Sequence, residues 1–132
     1  MQYPVYVHLG GEGEADGATI PDFPGCFTAV DDLEDLADSV QEALEVYFDG
    51  EDLKIPDPTP IGSLMTDPDY TDGYWMMVDV NTIKLLGQTK RINITMPERL
   101  LMEVDAYAKQ SGETRSGLLA EAAAEYLERN RG

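Results

Sequence analysis

Three short runs near the N-terminus alternate between apolar and polar positions, a pattern that is typical of β-strands. In the first run every second residue from Val5 to Leu9 is aliphatic, while Tyr6 and His8 occupy the opposite face. Turn-forming residues separate the runs, and Pro24-Gly25 favours a type II turn before the third run. The sequence therefore predicts a three-stranded meander over residues 3–9, 18–20 and 27–30.

A helical period follows these strands, because apolar residues recur every three or four positions from Asp31 to Phe48. The stripe consists of Leu33, Leu36, Ala37, Val40, Ala43, Leu44 and Tyr47. Asp31 and Glu34 have the spacing of a capping pair at the helix start. Residues 50–73 are rich in turn formers and predict a long loop, and Tyr74 to Val80 alternate again as a strand. Strands with one long helix predict an α+β fold, the helix lying on one sheet face.

A second alternating strand lies near the C-terminus, between residues 90 and 97. Ile92, Ile94 and Met96 alternate there with the polar residues Arg91, Asn93 and Thr95. One face of this strand can therefore be buried, while the other carries side chains that are able to read base edges.

Two helices follow this polar strand. Pro97 suits the first position of a helix running to about Gln110, and Gly112 suits its left-handed stop. Thr114 then caps a second helix over residues 115–129, with Gly117 weakening its first turn. One strand and two amphipathic helices in about 40 residues cannot bury both stripes alone. We therefore expect two copies to pair their strands into an antiparallel ribbon, which fits the major groove of DNA.

Charge is distributed unevenly along the chain of 132 residues, whose formal net charge is -17. Residues 1–89 contain two basic residues, Lys54 and Lys84, against 19 acidic ones, whereas residues 90–132 contain seven of each. Acids continue to the end of the long helix at Glu42, Glu45 and Asp49, where the helix dipole disfavours them. That charge serves either solubility or the docking of a basic partner.

Catalysis and membrane insertion find little support in the sequence. Asp22, Asp31, Glu34 and Asp79 could approach one another as metal ligands, but their spacing matches no known ligand pattern, so we expect no enzyme, cofactor or metal. The lone histidine, His8, lies in a strand, and the single cysteine, Cys26, is expected to be a structural thiol. With neither a signal peptide nor a membrane span in view, we expect a cytoplasmic protein.

The C-terminal segment resembles the ribbon-helix-helix family of DNA-binding proteins from Lys90 to about Asn130. The resemblance rests on the alternating polar strand, the Pro97-Glu98 helix start, Gly112 and the Arg115-Ser116 opening of the second helix. It implies contacts to DNA bases from Arg91, Asn93 and Thr95. It also implies contacts to DNA phosphate from four residues. Lys90 lies next to Arg91 in the strand, and Thr114, Arg115 and Ser116 lie at the start of the second helix.

Four segments of the N-terminal part have a recognisable pattern: Tyr3-Pro4-Val5, Ile20 to Cys26, Glu42-Ala43-Leu44 and Ile55-Pro56-Asp57-Pro58. On these segments, nearly the whole chain resembles the HicB antitoxin family. The resemblance implies a partial RNase H-like N-terminal domain that covers the active site of a HicA-type toxin, a small basic mRNA-cleaving ribonuclease. Its candidate toxin-contacting residues are Asp22, Phe23, Glu42, Glu45 and Asp49.

Together these features predict an antitoxin with three segments. Residues 1–86 form an acidic α+β toxin-binding domain, residues 87–89 a linker, and residues 90–132 a ribbon-helix-helix domain. This last domain is expected to form a homodimer or tetramer and to bind operator DNA in its own promoter as a repressor. The alternative is a stand-alone repressor whose acidic domain senses a ligand or another protein.

Overall fold

A computed structural model describes residues 1–131. These residues divide into two compact units: unit 1 is Met1–Gly87, and unit 2 begins at Gln88.

Unit 1 is built on a four-stranded antiparallel sheet. The strands are β1 (Gln2–His8), β2 (Asp16–Thr19), β3 (Phe27–Val30) and β4 (Gly73–Asp79). Their order across the sheet is β3-β2-β1-β4, so the predicted meander is confirmed and β4 pairs with the free edge of β1. Tyr6 of β1 lies opposite Thr19 on β2 and Trp75 on β4. This arrangement confirms the predicted α+β class, and it leaves β3 and β4 as the two edge strands.

One long helix, α1 (Leu36–Phe48), covers one face of the sheet. It buries Leu36, Val40, Leu44 and Phe48 at helical spacing against residues of every strand. A 3₁₀ turn at Leu33–Asp35 precedes it, and the cap of that turn is Asp32, whose side chain accepts a hydrogen bond from the Glu34 N–H at 3.0 Å. The predicted capping residue, Asp31, was therefore one position too early.

The two faces of β1 differ from the prediction. Residues 3–7 are buried on both faces, and Tyr6 is only 1% exposed, whereas Leu9 lies beyond the strand end and is 63% exposed. Tyr6 is covered because it packs against Tyr70 and Trp75, with ring centroids 5.0 Å away in each case. The segment before β4 thus supplies a second layer that the local alternation of β1 does not reveal.

The segment between α1 and β4 was predicted as a loop, but it contains a short helix, α2 (Ile61–Leu64). Long-range hydrogen bonds hold this segment against the sheet. The Tyr3 hydroxyl donates to the Pro56 carbonyl, and the Asp22 carboxylate accepts from the Thr59 N–H at 3.1 Å and from its hydroxyl. In the turn before β3, Gly25 has φ 84°, as a type II turn requires, and Cys26 N–H donates to Phe23 O at 2.9 Å.

Unit 2 consists of an irregular segment followed by α3 (Glu98–Ser111) and α4 (Arg115–Arg129). Pro97 is the residue before α3 and not its first residue, which is Glu98. Gly112 ends α3 at φ 75°, and the Thr114 hydroxyl caps α4 by accepting from Gly117 N–H at 3.0 Å, both as predicted. Residues 90–97 carry no strand in the single chain, since a strand there needs a second segment to pair with.

Candidate protein and nucleic-acid interfaces

The segment before α3 presents its polar side chains to solvent. Arg91, Asn93 and Thr95 are all exposed, as is Lys90. The intervening aliphatic residues are also uncovered, with Ile92 70% and Ile94 60% exposed. The residues predicted to contact DNA are therefore accessible, and the apolar side of the segment is available for burial by another chain.

The start of α4 is the predicted phosphate-contacting site. Thr114 and Ser116 are exposed there, and the Thr114 hydroxyl caps the helix. Arg115 is committed to a contact that the sequence did not predict: its Nε donates to Asp105 Oδ1 at 2.7 Å and its Nη2 to Asp105 Oδ2 at 2.8 Å. This bidentate pair joins α4 to α3 and fixes the direction of the guanidinium.

The same pair shifts the pKa of both groups. The hydrogen bonds from Arg115 lower the pKa of the Asp105 carboxyl below its ordinary value, and they raise the pKa of Arg115. Both groups are exposed to solvent, the Arg115 side chain to 55% and the Asp105 side chain to 43%, so salt weakens the attraction between them. Asp105 therefore orients Arg115 more than it stabilises the fold.

Unit 2 leaves most of its apolar side chains in water. Among its described residues Ala108 is the one hydrophobic side chain that is buried, at 4% exposure. Large apolar side chains remain exposed on both helices, among them Leu100, Met102, Tyr107, Tyr126 and Leu127. An isolated unit 2 would bury little apolar surface on folding. Its exposed apolar surface therefore marks a site of association with another chain.

The residues predicted to contact the toxin separate into three groups. Glu42, Glu45 and Asp49 are exposed on or just after α1. Phe23 is 1% exposed and packs in the core, so its ring is not available to a partner. Asp22 is half-buried and holds Thr59, which gives it a structural role within unit 1.

A shallow groove of about 510 Å³ lies beside the acidic residues of α1. One wall is the edge strand β3 with the turn before it, and the other wall is α1, from Ser39 to Tyr47. Val46 on this wall is 76% exposed, and Phe27 at the start of β3 is 74% exposed. The groove thus combines an open sheet edge, apolar side chains and the carboxylate of Glu42.

Two of the four carboxylates considered as metal ligands have other roles. Asp22 binds Thr59, and Asp79 accepts a hydrogen bond from the N-terminal ammonium group of Met1 at 3.1 Å. Within residues 1–131 no group of three or more histidine, cysteine, aspartate or glutamate side chains is placed to hold a metal ion. Cys26 is buried, and this burial raises the pKa of its thiol. His8 stacks edge-on against Tyr6 at 4.6 Å.

Of the helices in residues 1–131, none reaches the combination of length and hydropathy that a bilayer crossing requires.

The sequence assigned no binding role to Asp105, Val46 or Phe27. A signal for Val46 was present, since it is an apolar residue off the core stripe of α1 and next to Glu45. Phe27 follows a Pro-Gly turn and begins an edge strand, but the sequence does not show which strand lies at the edge. The Asp105–Arg115 pair depends on the angle between α3 and α4, which the spacing of ten residues does not determine.

Two sequence comparisons cover almost all of the chain. The model of the family described as HicB-like antitoxin of bacterial toxin-antitoxin system matches residues 3–123. An uncharacterized 14.9 kDa protein from the rep-hol intergenic region of Haemophilus phage HP1 (strain HP1c1) is 32% identical over 132 residues. That alignment covers 96% of this chain and 98% of the phage protein.

Solved structures agree with the family match. The chain is similar to the crystal structure of the Burkholderia pseudomallei antitoxin HicB, with a TM-score of 0.63 and 33% identity over 96% of this chain and 98% of that one. It is also similar to a chain of the HicA3 and HicB3 toxin-antitoxin complex. There the TM-score is 0.52 and the identity 25%, over 61% of this chain and 99% of the other.

Proposed function

The chain belongs to the family of HicB-like antitoxins of bacterial toxin-antitoxin systems, and from this premise we propose a division of labour between its two units. Residues 1–86 neutralise a HicA-type toxin, an mRNA-cleaving ribonuclease. Residues 90–132 form a ribbon-helix-helix dimer that binds operator DNA and represses the chain's own operon. Residues 87–89 link the two, and the protein works in the cytoplasm without an enzymatic activity of its own.

The toxin-binding half of the proposal is carried by the charge of unit 1 together with its similarity to a chain of the HicA3 and HicB3 complex. Two basic residues stand against 19 acidic ones in residues 1–89. A small basic ribonuclease has a cationic surface for RNA phosphates, and an acidic protein competes for that surface and is attracted to it from a distance. The exposed acids of α1, Glu42 and Glu45, with Asp49 after its end, are suited to this contact.

The sheet of unit 1 with one covering helix is compatible with a partial RNase H-like fold, which we include in the proposal. A working nuclease of that fold needs clustered carboxylates for its metal ions. Asp22 and Asp79 are instead engaged by Thr59 and by the Met1 ammonium group, which supports a binding role for unit 1.

The DNA-binding half rests on unit 2. Arg91, Asn93 and Thr95 project from a segment whose aliphatic residues need covering, and pairing two such segments would satisfy the backbone and bury Ile92 and Ile94. The outer face of the ribbon would then carry six polar side chains into the major groove. At the start of α4 the helix N–H groups, Thr114 and Ser116 would meet phosphate, with Arg115 beside them.

The experiment that tests the toxin half uses the full chain, expressed with an affinity tag in its native host. We expect a small basic protein to co-purify, to cleave mRNA after separation from the chain, and to lose that activity when the chain is added back. A chain that recovers no such ribonuclease and protects no RNA would favour the stand-alone repressor. The double variant Arg91→Ala, Asn93→Ala should retain the inhibition, because both residues lie outside unit 1.

The DNA half is tested by fluorescence anisotropy on DNA from the chain's own upstream region, with unrelated DNA of equal length as control. Tight binding to the upstream DNA alone, weakened by salt, is the expected result. Equal and weak binding to both DNAs would contradict the repressor role and would leave the ribbon as a dimerisation device.

A further inference from the structure

We infer that the toxin docks by adding an extended, cationic segment to the open edge of β3, so that this segment becomes a fifth strand lying in the groove between β3 and α1. The inference rests on the proposed toxin-binding function and names the surface and the mode of contact.

The open edge of β3 presents unpaired backbone groups. Ile20 N–H donates to the Cys26 carbonyl at 3.3 Å, so the pair of residues 20 and 26 is hydrogen-bonded across β2 and β3. Bonded and non-bonded pairs alternate along antiparallel strands, and the register places Thr28 opposite Ala18 in the next bonded pair. The N–H and C=O groups of Phe27 and Ala29 therefore point away from β2. They have no hydrogen-bond partner within the described residues.

The groove has the shape that an added strand needs. Its volume of about 510 Å³ extends along β3 on one side and along α1 on the other. Ser39, Ala43 and Val46 lie three or four residues apart on α1 and form a stripe toward this space, next to the stripe that packs the core. An incoming strand would thus pair with β3 and also contact one face of a helix.

The two faces of such a strand would meet different surroundings. Side chains alternate across a sheet, and Val30 is packed in the core under α1, so Phe27 and Ala29 project from the opposite face. Inward side chains of the added strand would meet Val46 and Ala43, and outward ones would meet the exposed ring of Phe27. Apolar residues are therefore accommodated on both faces of the partner strand.

The negative charge beside this edge favours a cationic partner. Glu42 lines the groove, Glu45 is exposed on the same helix, and Asp49 follows the helix end. A second copy of this chain is a poor occupant, because pairing β3 with β3 would bring two such acidic helices together. Lysine or arginine side chains on a toxin strand would instead be attracted to these carboxylates.

Amide hydrogen exchange of the ¹⁵N-labelled full chain tests the inference directly. The chain is compared alone and in complex with the small basic protein that co-purifies with it. We expect the Phe27 and Ala29 amides to exchange at least about tenfold more slowly in the complex, as amides do when they enter a ladder. The Thr28 amide, which already faces β2, serves as the internal control and should be protected in both samples.

Matched variants test the same surface by affinity. Ala29→Pro removes an outward donor without removing a bond to β2, and proline is tolerated at such edge positions. Glu42→Lys reverses a charge in the groove, and Glu12→Lys makes the same change at the exposed hairpin tip. We expect Ala29→Pro and Glu42→Lys each to weaken the complex by at least about tenfold, against less than about threefold for Glu12→Lys.

Each outcome separates the inference from the function it rests on. A complex that forms while the Phe27 and Ala29 amides exchange unchanged would overturn edge docking and leave the antitoxin function intact. The absence of any complex would overturn both. Protection of these two amides in the free chain that rises with its concentration would assign the edge to self-association, which also overturns the inference.

Discussion

The guanidinium of Arg115 makes two parallel hydrogen bonds to the carboxylate of Asp105, at 2.7 and 2.8 Å, across the turn that joins α3 to α4. The pair uses Nε and Nη2, which leaves Nη1 at the outer end of the group. Asp105 therefore holds Arg115 at the start of α4, where phosphate is proposed to bind, without occupying all of its donors. We therefore expect Asp105, three positions before the buried Ala108, to act on DNA binding through Arg115.

Asp105→Asn is predicted to weaken operator binding although it removes a negative charge. Asparagine offers one oxygen and cannot accept both bonds, so Arg115 loses its fixed direction. We expect the affinity to fall by about three- to tenfold in an anisotropy titration at fixed salt, the size of one weakened hydrogen bond. Glu103→Gln on the same helix makes the same charge change and is the control. A rise in affinity would mean that Asp105 restrains Arg115 from DNA.

The same pair predicts a pH dependence at Asp105. Its carboxyl pKa is lowered in the folded protein, so the pair's contribution is present above the unfolded pKa of about 3.9 and is lost as pH falls through the lower folded value. A ¹³C NMR titration of the Asp105 carboxyl should therefore show its midpoint below the ordinary range. In Arg115→Gln the midpoint should return toward that range, and an unchanged midpoint would contradict the assigned cause.

Arg91→Ala and Asn93→Ala are each predicted to lower the discrimination between operator and unrelated DNA. Each side chain is exposed, so neither truncation removes a packed contact from the chain. A bidentate base contact contributes roughly 1–3 kcal/mol, which corresponds to a loss of about five- to 150-fold for each variant. Arg129→Ala, at the end of α4, removes the same charge as Arg91→Ala and should change operator affinity little. Loss of dimerisation in either variant would contradict the outward placement.

Leu119→Ala is predicted to destabilise the dimer. Leu119 is half-buried in the single chain, and Tyr126 and Leu127 of the same helix are exposed, so a second copy should complete its burial. Truncation should then cost about 2–5 kcal/mol, lower the melting temperature of the helices and raise the dissociation constant in sedimentation equilibrium. Leu9→Ala is the control, because Leu9 is 63% exposed in unit 1. An unchanged melting temperature would place Leu119 outside the dimer core.

Local patterns in the sequence were sufficient for most elements of the fold. The period of α1, the Gly112 stop and the Thr114 cap depend on residues a few positions apart, and each was predicted correctly. The local errors, at Asp31 and Pro97, amount to one position each, whereas the larger errors concern contacts across the chain. Tyr6 is buried because Tyr70 packs on it, and the segment before β4 is ordered because Asp22 holds Thr59, 37 residues away.

The site was predictable to the same extent. The exposed acids of α1 and the polar side chains before α3 follow from amphipathic patterns, since an outward face needs no knowledge of its neighbours. The burial of Phe23 and the open edge of β3 depend on strand order and on which surfaces α1 covers. Neither is encoded within a window of ten residues.

Tyr3→Phe is predicted to destabilise unit 1 in a manner that depends on pH. Burial raises the pKa of the Tyr3 hydroxyl to about 12, with Asp22 and Asp57 adding to the effect. Because the folded pKa is raised, the stability that the neutral Tyr3 hydroxyl contributes is fully present below the unfolded pKa of about 10. It is lost as pH rises from there through 12. At neutral pH the variant also loses the bond to the Pro56 carbonyl, at a cost of about 1 kcal/mol.

The free energy of unfolding of unit 1 is measured by urea titration, followed by the fluorescence of Trp75, the single tryptophan. The gap between the parent chain and Tyr3→Phe should be constant from pH 7 to 9 and should shrink above pH 10, because only the parent chain has a phenol to ionise at this position. Tyr126→Phe is the matched control, since that ring is 65% exposed on α4 and should leave the unfolding of unit 1 unchanged. A gap that stays constant to pH 12 would mean that the Tyr3 hydroxyl ionises equally in the folded and unfolded chains.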